Sequence, residues 1–471
     1  MGKYEGKKVA VLGLGDEGLA LVSKLHHLGS QVEGFGTGDG AYIEGVQKFM
    51  AAVPVPLHWK EIPEDGLTGF DAIIVTTRSG KFHAARDFAG KQGVPIFHEI
   101  DFILQFLKAP IIAVTGTNGK TTTLSILAEI FKRQGLRFTI TGGDFDSWAD
   151  RIEDTENYDY HLLELSSQRL ENSSRLHPYI AVLLNIFPAH PERHADGIPG
   201  YFAAKAKIFQ KQGEQEYLIH EASARNVREL IRQAQAKPQR VMFSLEHQLE
   251  GMGIHRVEKE LVWVGNSGEE KKFSLAQAKN IAPTYLLNEM AAIAVACLCD
   301  VKPEAIQGVI DNFAGIPHRL ERIRDVGEVT FVDDSRATNE AATIWALSSF
   351  NRPVILIAGG GVHPQAGFES LKRFTRSRVK QIILVGSQSE GMAKELEGET
   401  PVQQVENLQE AVQIADKLAE AEDVVLFSPA CPPDLYTQGG GTERGEDFQK
   451  QVKSLPDKPR RVKNKPTFTR I

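Results

Sequence analysis

The feature that most constrains the fold is an apolar run that leads into a glycine-rich loop and then into a helical pattern. Residues 111–115 predict a buried parallel strand, and residues 124–131 predict the helix that follows. The loop between them directs backbone N–H groups and the positive end of a helix dipole to one place, which favours a polyphosphate. The predicted phosphate-binding residues are Gly116, Thr117, Asn118, Gly119, Lys120, Thr121 and Thr122.

Two side chains of this loop add chemistry to the backbone. Lys120 supplies a mobile positive charge, and Thr121 supplies a hydroxyl suited to magnesium. The spacing is not that of the Walker A motif, because two residues separate Gly116 from Gly119 where that motif has four. A tight strand-to-helix turn without a ligand is the alternative, but Gly-Lys-Thr directly after a strand is rarely assembled for packing alone.

Length and composition limit the class of protein. A chain of 471 residues exceeds the size at which one hydrophobic core keeps growing, so we expect three domains. No apolar run is long enough for a bilayer, the first residues lack a signal-peptide core, and 3 cysteines argue against a disulfide framework. The net charge of -7 argues against a nucleic-acid binder. We therefore expect a cytoplasmic protein that binds neither membranes nor nucleic acid, with a surface-exposed basic C-terminal tail.

Residues 1–108 are predicted to form a small Rossmann-like unit. They carry a G-x-G-x-x-G turn from Gly13 to Gly18, and Glu33 stands at the predicted end of the next strand, where an acid that binds ribose would lie. Taken alone, this pattern suggests an NAD-dependent oxidoreductase. Asp16 and Glu17 weaken that interpretation, because they place carboxylates in a turn that would face a pyrophosphate.

Residues 109–316 are predicted to form a parallel sheet around the phosphate loop. One strand ends at Glu164, and another ends just before His190, so both side chains lie at the strand ends where open α/β sheets bind ligands. Both could meet an ion held by the loop. In a helix that begins near position 201, Lys205 and Lys207 are two residues apart and cannot share a face, so one of them is expected to turn inward.

Residues 317–471 are predicted to form a second Rossmann-like sheet of three to five strands. Its strands at 329–332, 354–358, 381–386 and 424–427 alternate with helical patterns. The predicted fold is therefore α/β with three domains: an N-terminal Rossmann-like domain, a central ATPase-like parallel sheet with a phosphate loop, and a C-terminal Rossmann-like domain.

Several motifs in this order together resemble the Mur ligase family, and most closely its D-glutamate-adding branch. The resemblance covers nearly the whole chain. It is carried by Thr-Gly-Thr-Asn-Gly-Lys-Thr-Thr at 115–122, Glu-Leu-Ser-Ser at 164–167, the segment 185–190, His-Arg at 318–319, Asp-Ser-Arg-Ala-Thr-Asn at 334–339 and Ser-Pro-Ala-Cys at 428–431.

The resemblance implies a monomeric ATP-dependent ligase of peptidoglycan precursor synthesis. It would join an acidic amino acid, D-glutamate in that branch, to a UDP-linked muramoyl-alanine precursor through an acyl phosphate, with ATP and two magnesium ions. Closure of the C-terminal domain onto the central one is expected to assemble the site. The roles that it implies are catalysis by Lys120, Glu164, His190 and Lys205; metal binding by Thr121, Glu164, His190 and a carbamylated Lys205; and nucleotide binding by the phosphate loop with Asn288, Arg319 and Asp334.

The resemblance implies that the N-terminal domain binds the UDP-linked substrate and the C-terminal domain binds the amino acid, and both regions depart from the family pattern. Glu33 is kept but the arginine expected after it is missing, and Arg78 could compensate for the lost charge. Arg336 stands where a lysine is common, and His363 lies in a run where Asp-Gly-Lys is expected. A different acidic amino acid or nucleotide substrate, a folate-type glutamate ligase and a non-catalytic nucleotide-binding protein remain alternatives. The candidate substrate residues are Gly15, Asp16, Glu17, Glu33, Arg78, Ser166, Ser335, Arg336, Thr338 and His363.

Overall fold

A computed structural model of the chain contains three β-sheets with helices on their faces. This arrangement confirms the predicted α/β class. The structure describes residues 2–36, 53–59, 62–77, 83–154, 156–188, 193–361, 367–398, 400–434 and 441–457. Within these ranges, every helix is too short or too polar to cross a bilayer.

The N-terminal unit is a parallel sheet of five strands in the order β3-β2-β1-β4-β5. The apolar runs of β1 and β4 are buried along almost their whole length, as parallel strands covered on both faces require. The strands are β1 (Lys8–Leu12), β2 (Gln31–Phe35), β3 (Leu57–His58), β4 (Ala72–Val75) and β5 (Ile96–His98). The helices are α1 (Asp16–His27), α2 (His83–Lys91) and α3 (Glu99–Ile103).

The central unit is a sheet of nine strands in the order β14-β13-β12-β11-β10-β9-β6-β8-β7. The strands are β6 (Ile111–Thr115), β7 (Phe138–Thr141), β8 (Tyr160–Glu164), β9 (Ile180–Leu183), β10 (Tyr217–Glu221), β11 (Gln239–Ser244), β12 (Gly253–Val257), β13 (Glu260–Val264) and β14 (Glu270–Ser274). Its helices are α4 (Lys120–Gln134), α5 (Ser167–Asn172), α6 (Gly197–Ala206), α7 (Arg225–Gln233), α8 (Pro283–Leu298) and α9 (Pro303–Asn312), with a short 3-10 helix at Trp148–Arg151.

The prediction of a parallel central sheet is confirmed from β7 to β12, whereas β13 and β14 pair antiparallel at its edge. The reason is the length of the connection. Only Glu258 and Lys259 join β12 to β13, and a connection this short allows a hairpin but not a parallel crossover.

The C-terminal unit is a sheet of six strands in the order β15-β16-β20-β17-β18-β19, one more than the largest number predicted. The additional edge strand, β15, pairs antiparallel with β16. The strands are β15 (Glu321–Val326), β16 (Val329–Asp333), β17 (Val354–Ala358), β18 (Val379–Leu384), β19 (Val402–Gln404) and β20 (Val424–Phe427). The helices are α10 (Glu340–Leu347), α11 (Glu369–Thr375), α12 (Ser389–Leu396), α13 (Leu408–Leu418) and α14 (Gly441–Lys453).

The N-terminal and central units share one hydrophobic core. Buried side chains of β1, α1 and α3 belong to the same cluster as Trp148, Leu163 and Leu218 of the central unit. Polar contacts reinforce this junction: Arg169 Nε donates to the buried carboxylate of Glu99 at 2.9 Å. The C-terminal unit has its own two clusters and meets the central unit across a cleft.

Candidate active site

The phosphate loop connects β6 to α4, and hydrogen bonds with Asn185 hold it in place. The backbone N–H of Asn118 donates to Asn185 Oδ1 at 2.9 Å, and Asn185 Nδ2 donates back to the carbonyl of Asn118 at 3.1 Å. Gly119 has a φ of +87°, and a Cβ there would lie 2.1 Å from Asn288 Oδ1. The last turn before the helix therefore requires glycine, since other residues would be strained and would collide with Asn288.

A half-buried lysine, Lys120, and a buried one, Lys205, converge on this loop. Lys120 Nζ donates to the carbonyl of Gly116 at 3.0 Å, and Lys205 Nζ donates to the same oxygen at 2.9 Å and to Thr115 Oγ1 at 3.2 Å. Burial lowers the pKa of both lysines, and the charge of Lys120 lowers that of Lys205 further. Two lysine amines that donate to the same carbonyl oxygen place N–H donors where anionic oxygens can bind.

The prediction that one lysine of α6 turns inward is confirmed for Lys205. Lys205 is 2% exposed, and its Nζ lies 4.9 Å from the ring centroid of Tyr201. Lys207 follows the end of the helix, is only half-buried, and donates to the carbonyl of Glu171 away from the loop. The helix itself spans Gly197–Ala206, so it begins and ends earlier than the predicted pattern.

A carboxylate and a hydroxyl lie side by side next to the lysines. Thr121 Oγ1 donates to Glu164 Oε2 at 2.9 Å, and both residues are buried. Glu164 ends β8, as predicted, and Gly143 packs against it so closely that a Cβ there would lie 2.4 Å from the carboxyl carbon. Hard oxygen donors of this kind suit magnesium, so the residues fit the ion that the loop motif implies.

A cleft between the central and C-terminal units brings the predicted nucleotide-binding residues together. Burial raises the pKa of Asp334 to about 7, although its Oδ2 accepts a hydrogen bond from Ser428 Oγ at 2.8 Å. Two aromatic side chains, Tyr285 and Trp345, lie on the same walls. The predicted residues that line the cleft are Asn118, Gly119, Thr122, Asn288, Arg319, Asp334 and Arg336.

Among the described candidate substrate residues of the N-terminal unit, Glu17 and Glu33 are paired with protein neighbours. Gly15 is the N-cap of α1, and Asp16 is exposed in its first turn. Glu17 accepts a hydrogen bond from Ser147 Oγ at 3.0 Å and lies 3.5 Å from Arg169 Nη2, both in the central unit. Burial raises the pKa of Glu17 despite these partners.

The predicted position of Glu33 at a strand end is wrong. Strand β2 continues to Phe35, so Glu33 lies in its middle. Its carboxylate is bound by His58 Nε2 at 2.8 Å and Lys8 Nζ at 3.2 Å. This acid is therefore already paired within the sheet, which removes one of the two observations in favour of an NAD site.

Three further candidate substrate residues differ in their exposure to solvent. Ser166 caps α5, accepting the backbone N–H of Arg169 at 3.3 Å, and Thr338 is exposed in the loop after β16. Ser335 is completely buried, and its hydroxyl has no hydrogen-bond partner among the described residues. The candidates Arg78, His190 and His363 lie outside the described residues.

Three residues of the site, and one buried acid next to Asn288 in the chain, were not singled out from the sequence. Asn185 holds the phosphate loop, and the Tyr201 hydroxyl lies 2.8 Å from Thr117 Oγ1. Asp144 contacts both Arg319 and Arg336, and Glu289 is a buried acid directly after Asn288. The sequence contains a signal for two of them: Asp144 follows the β-branched run 139–141 and two glycines, and Glu289 is the one charged residue in a mostly apolar helix.

Known proteins share both the sequence pattern and the fold. The family descriptions "Mur ligase middle domain" and "Mur ligase, glutamate ligase domain" match residues 114–296 and 318–431. A UDP-N-acetylmuramoylalanine--D-glutamate ligase of Pelotomaculum thermopropionicum is 32% identical over 96% of this chain and 98% of its own. A UDP-N-acetylmuramoylalanine--D-glutamate ligase of Koribacter versatilis is 31% identical over 97% of this chain and 99% of its own. The fold is similar to that of a pseudomurein peptide ligase type C from Methanothermus fervidus, with a TM-score of 0.57, 16% identity and coverage of 95% and 100%.

The three sheets, the phosphate loop and the matches to Mur ligase domains together define an ATP-dependent carboxylate–amine ligase. The chain belongs to the Mur ligase family, as the matches over most of its length show. Members of this family use ATP and magnesium.

Proposed function

We propose that the chain joins D-glutamate to UDP-N-acetylmuramoyl-L-alanine in the synthesis of peptidoglycan precursors. The observation that carries the chemistry is the convergence of Lys120 and Lys205 on Gly116, next to the pair of Thr121 and Glu164. The names of the relatives support the two substrates. We place the domain boundaries near residues 108 and 316, between the last strand of one sheet and the first of the next.

In the proposed reaction, an oxygen of the precursor carboxylate attacks the γ-phosphorus of ATP, and the bond from that phosphorus to the bridging oxygen of ADP breaks. The amine of glutamate then attacks the carbonyl carbon, loses a proton, and expels phosphate as the amide forms. Lys120 and Arg319 offset negative charge as two anions approach each other. Thr121 and Glu164 would hold magnesium, which supplies charge neutralisation on the phosphates when bound.

Lys205 is proposed to carry a carbamate. Its lowered pKa increases the fraction of neutral amine, which can attack carbon dioxide with loss of one proton. The product is an anion in place of an ammonium, and it could hold a second magnesium ion together with His190. The position of Lys205 beside Thr115 and Gly116 supports this role.

Replacing Lys205 with alanine is expected to lower kcat at least about 100-fold, because the proposed metal ligand is lost. Lys207→Ala is the matched control, since its amine points away from the loop. Carbon NMR with isotope-labelled bicarbonate should show a carbamate signal in the wild type and in Lys207→Ala but not in Lys205→Ala. A signal that persists in Lys205→Ala would assign the modification elsewhere.

The substrate assignment is tested by phosphate release. Purified protein is incubated with ATP, magnesium, UDP-N-acetylmuramoyl-L-alanine and one amino acid at a time. We expect release with D-glutamate and little with L-glutamate or D-aspartate. Release with a different amino acid would change the acceptor and keep the reaction, whereas ATP binding without release for every acceptor would contradict the proposed function.

A further inference from the structure

One carboxylate joins two arginines of the C-terminal unit to the central unit. Asp144 Oδ2 lies 2.7 Å from Arg319 Nη2, and Asp144 Oδ1 lies 2.6 Å from Arg336 Nη2. Each oxygen thus serves a different guanidinium group. The side chains of Asp144, Arg319 and Arg336 are 41%, 31% and 29% exposed, so the bridge is at the rim of the cleft, neither in bulk solvent nor in the core.

The loop that carries Asp144 is fixed against Glu164. It begins at the end of β7 with Gly142 and Gly143, which have φ angles of +97° and +62°. A Cβ at Gly142 would lie 2.5 Å from the carbonyl oxygen of Glu164, and one at Gly143 would meet its carboxylate. The backbone before Asp144 therefore packs directly on the residue that is expected to bind magnesium.

The bridge also counteracts a concentration of positive charge. Lys120 and Arg319 are close enough for the arginine to lower the pKa of the lysine, and Lys205 lies beside Lys120. Without a carboxylate, the arginines of the C-terminal unit would approach these lysines against like-charge repulsion. Burial alone would raise the pKa of Asp144, but hydrogen bonds from Arg336 and Arg319 outweigh it and lower that pKa. Asp144 is thus ionised at neutral pH.

The bridge leaves donors free for substrate anions. A guanidinium group has five N–H donors, and Asp144 is within hydrogen-bond distance of one terminal nitrogen of each arginine. Arg319 Nε has no hydrogen-bond partner among the described residues. Asp144 therefore holds the arginines without using all of their donors.

We propose that Asp144 is a positioning residue that holds Arg319 and Arg336 over the phosphate loop when the C-terminal unit closes. This inference rests on the proposed function, in which Arg319 contacts ATP phosphates and Arg336 contacts the carboxylate of the incoming amino acid. Asp144 acts through these two arginines and sets their distance from Glu164. A loop of the central unit thereby aligns the cations of the closing unit.

The test compares Asp144→Asn with wild type in steady-state kinetics and in small-angle scattering of the full chain. We expect kcat to fall about 3- to 10-fold, as expected for the loss of two partly exposed charge pairs. The KM for the amino acid should rise, and the KM for the UDP-linked precursor should stay the same. Compaction with a non-hydrolysable ATP analogue, magnesium and precursor should be smaller than in wild type. Asp144→Glu, which keeps the charge, should recover most of the lost kcat.

Asp146→Asn is the matched control, because Asp146 lies in the same loop but pairs with Arg151 of its own unit, at 3.7 Å. The proposal would be overturned if the Asp144→Asn variant showed the same kinetics and the same scattering profiles as this control. Tighter ATP binding by Asp144→Asn would also overturn it, since the carboxylate would then be a competitor of phosphate. If the wild type turns over no acceptor, the proposed function fails, but the scattering comparison still decides whether Asp144 supports closure.

Discussion

Replacing Lys120 with alanine is expected to lower kcat for phosphate release by about 100- to 1000-fold, with the chain still folded. Lys120 is half-buried at the phosphate loop, where a charge is screened less by water than it is on the open surface. A preorganised donor at such a position contributes about this much to the rate. The KM for ATP should change less than kcat, because the charge that Lys120 offsets is largest during phosphoryl transfer.

Lys132→Ala provides the control for this experiment. Lys132 lies in the same helix, but its side chain is 63% exposed and pairs with Glu129 on the surface. It should retain wild-type activity, and both variants should melt at similar temperatures. Full activity in Lys120→Ala would contradict the assignment of the phosphate loop.

The second large expected effect concerns the free energy of unfolding, and it results from replacing Glu289. This residue is 1% exposed in α8, and its buried carboxylate interacts with the Tyr285 hydroxyl. Burial raises its pKa from 4.5 to about 8, with the Tyr285 hydroxyl offsetting part of the effect. The folded state therefore keeps a proton that the unfolded state releases, and the free energy of unfolding falls as pH rises from about 4.5 to about 8.

Glu289→Gln removes this titration and should stabilise the protein at alkaline pH. Its advantage should be small near pH 5 and reach about 3 to 5 kcal/mol near pH 8, at about 1.4 kcal/mol for each unit of pKa. Thermal melting at both pH values measures the effect, with the exposed Glu250→Gln as control. An advantage that does not depend on pH would show that packing, not ionisation, explains it.

The sequence predicts the parts of the site that one strand and its following loop determine. Lys120, Thr121 and Glu164 lie where the strand-end rule puts them, and the two-residue spacing of Lys205 and Lys207 correctly indicated one inward lysine. The error at Glu33 arose because the end of a strand is hard to locate from sequence, and β2 is longer than expected. The bridge at Asp144 depends on contacts between residues more than 170 positions apart, which no local pattern encodes.

The common core of the N-terminal and central units has a consequence for selection among precursors. Since Val9, Trp148 and Leu218 pack in one cluster, the separation between the glycine turn after β1 and the phosphate loop is set when the chain folds. On the proposed function, one end of the precursor binds at the turn and its carboxylate must reach the loop. The distance between the turn and the phosphate loop is then fixed. A precursor that is one residue too short or too long would not bring its carboxylate to the loop.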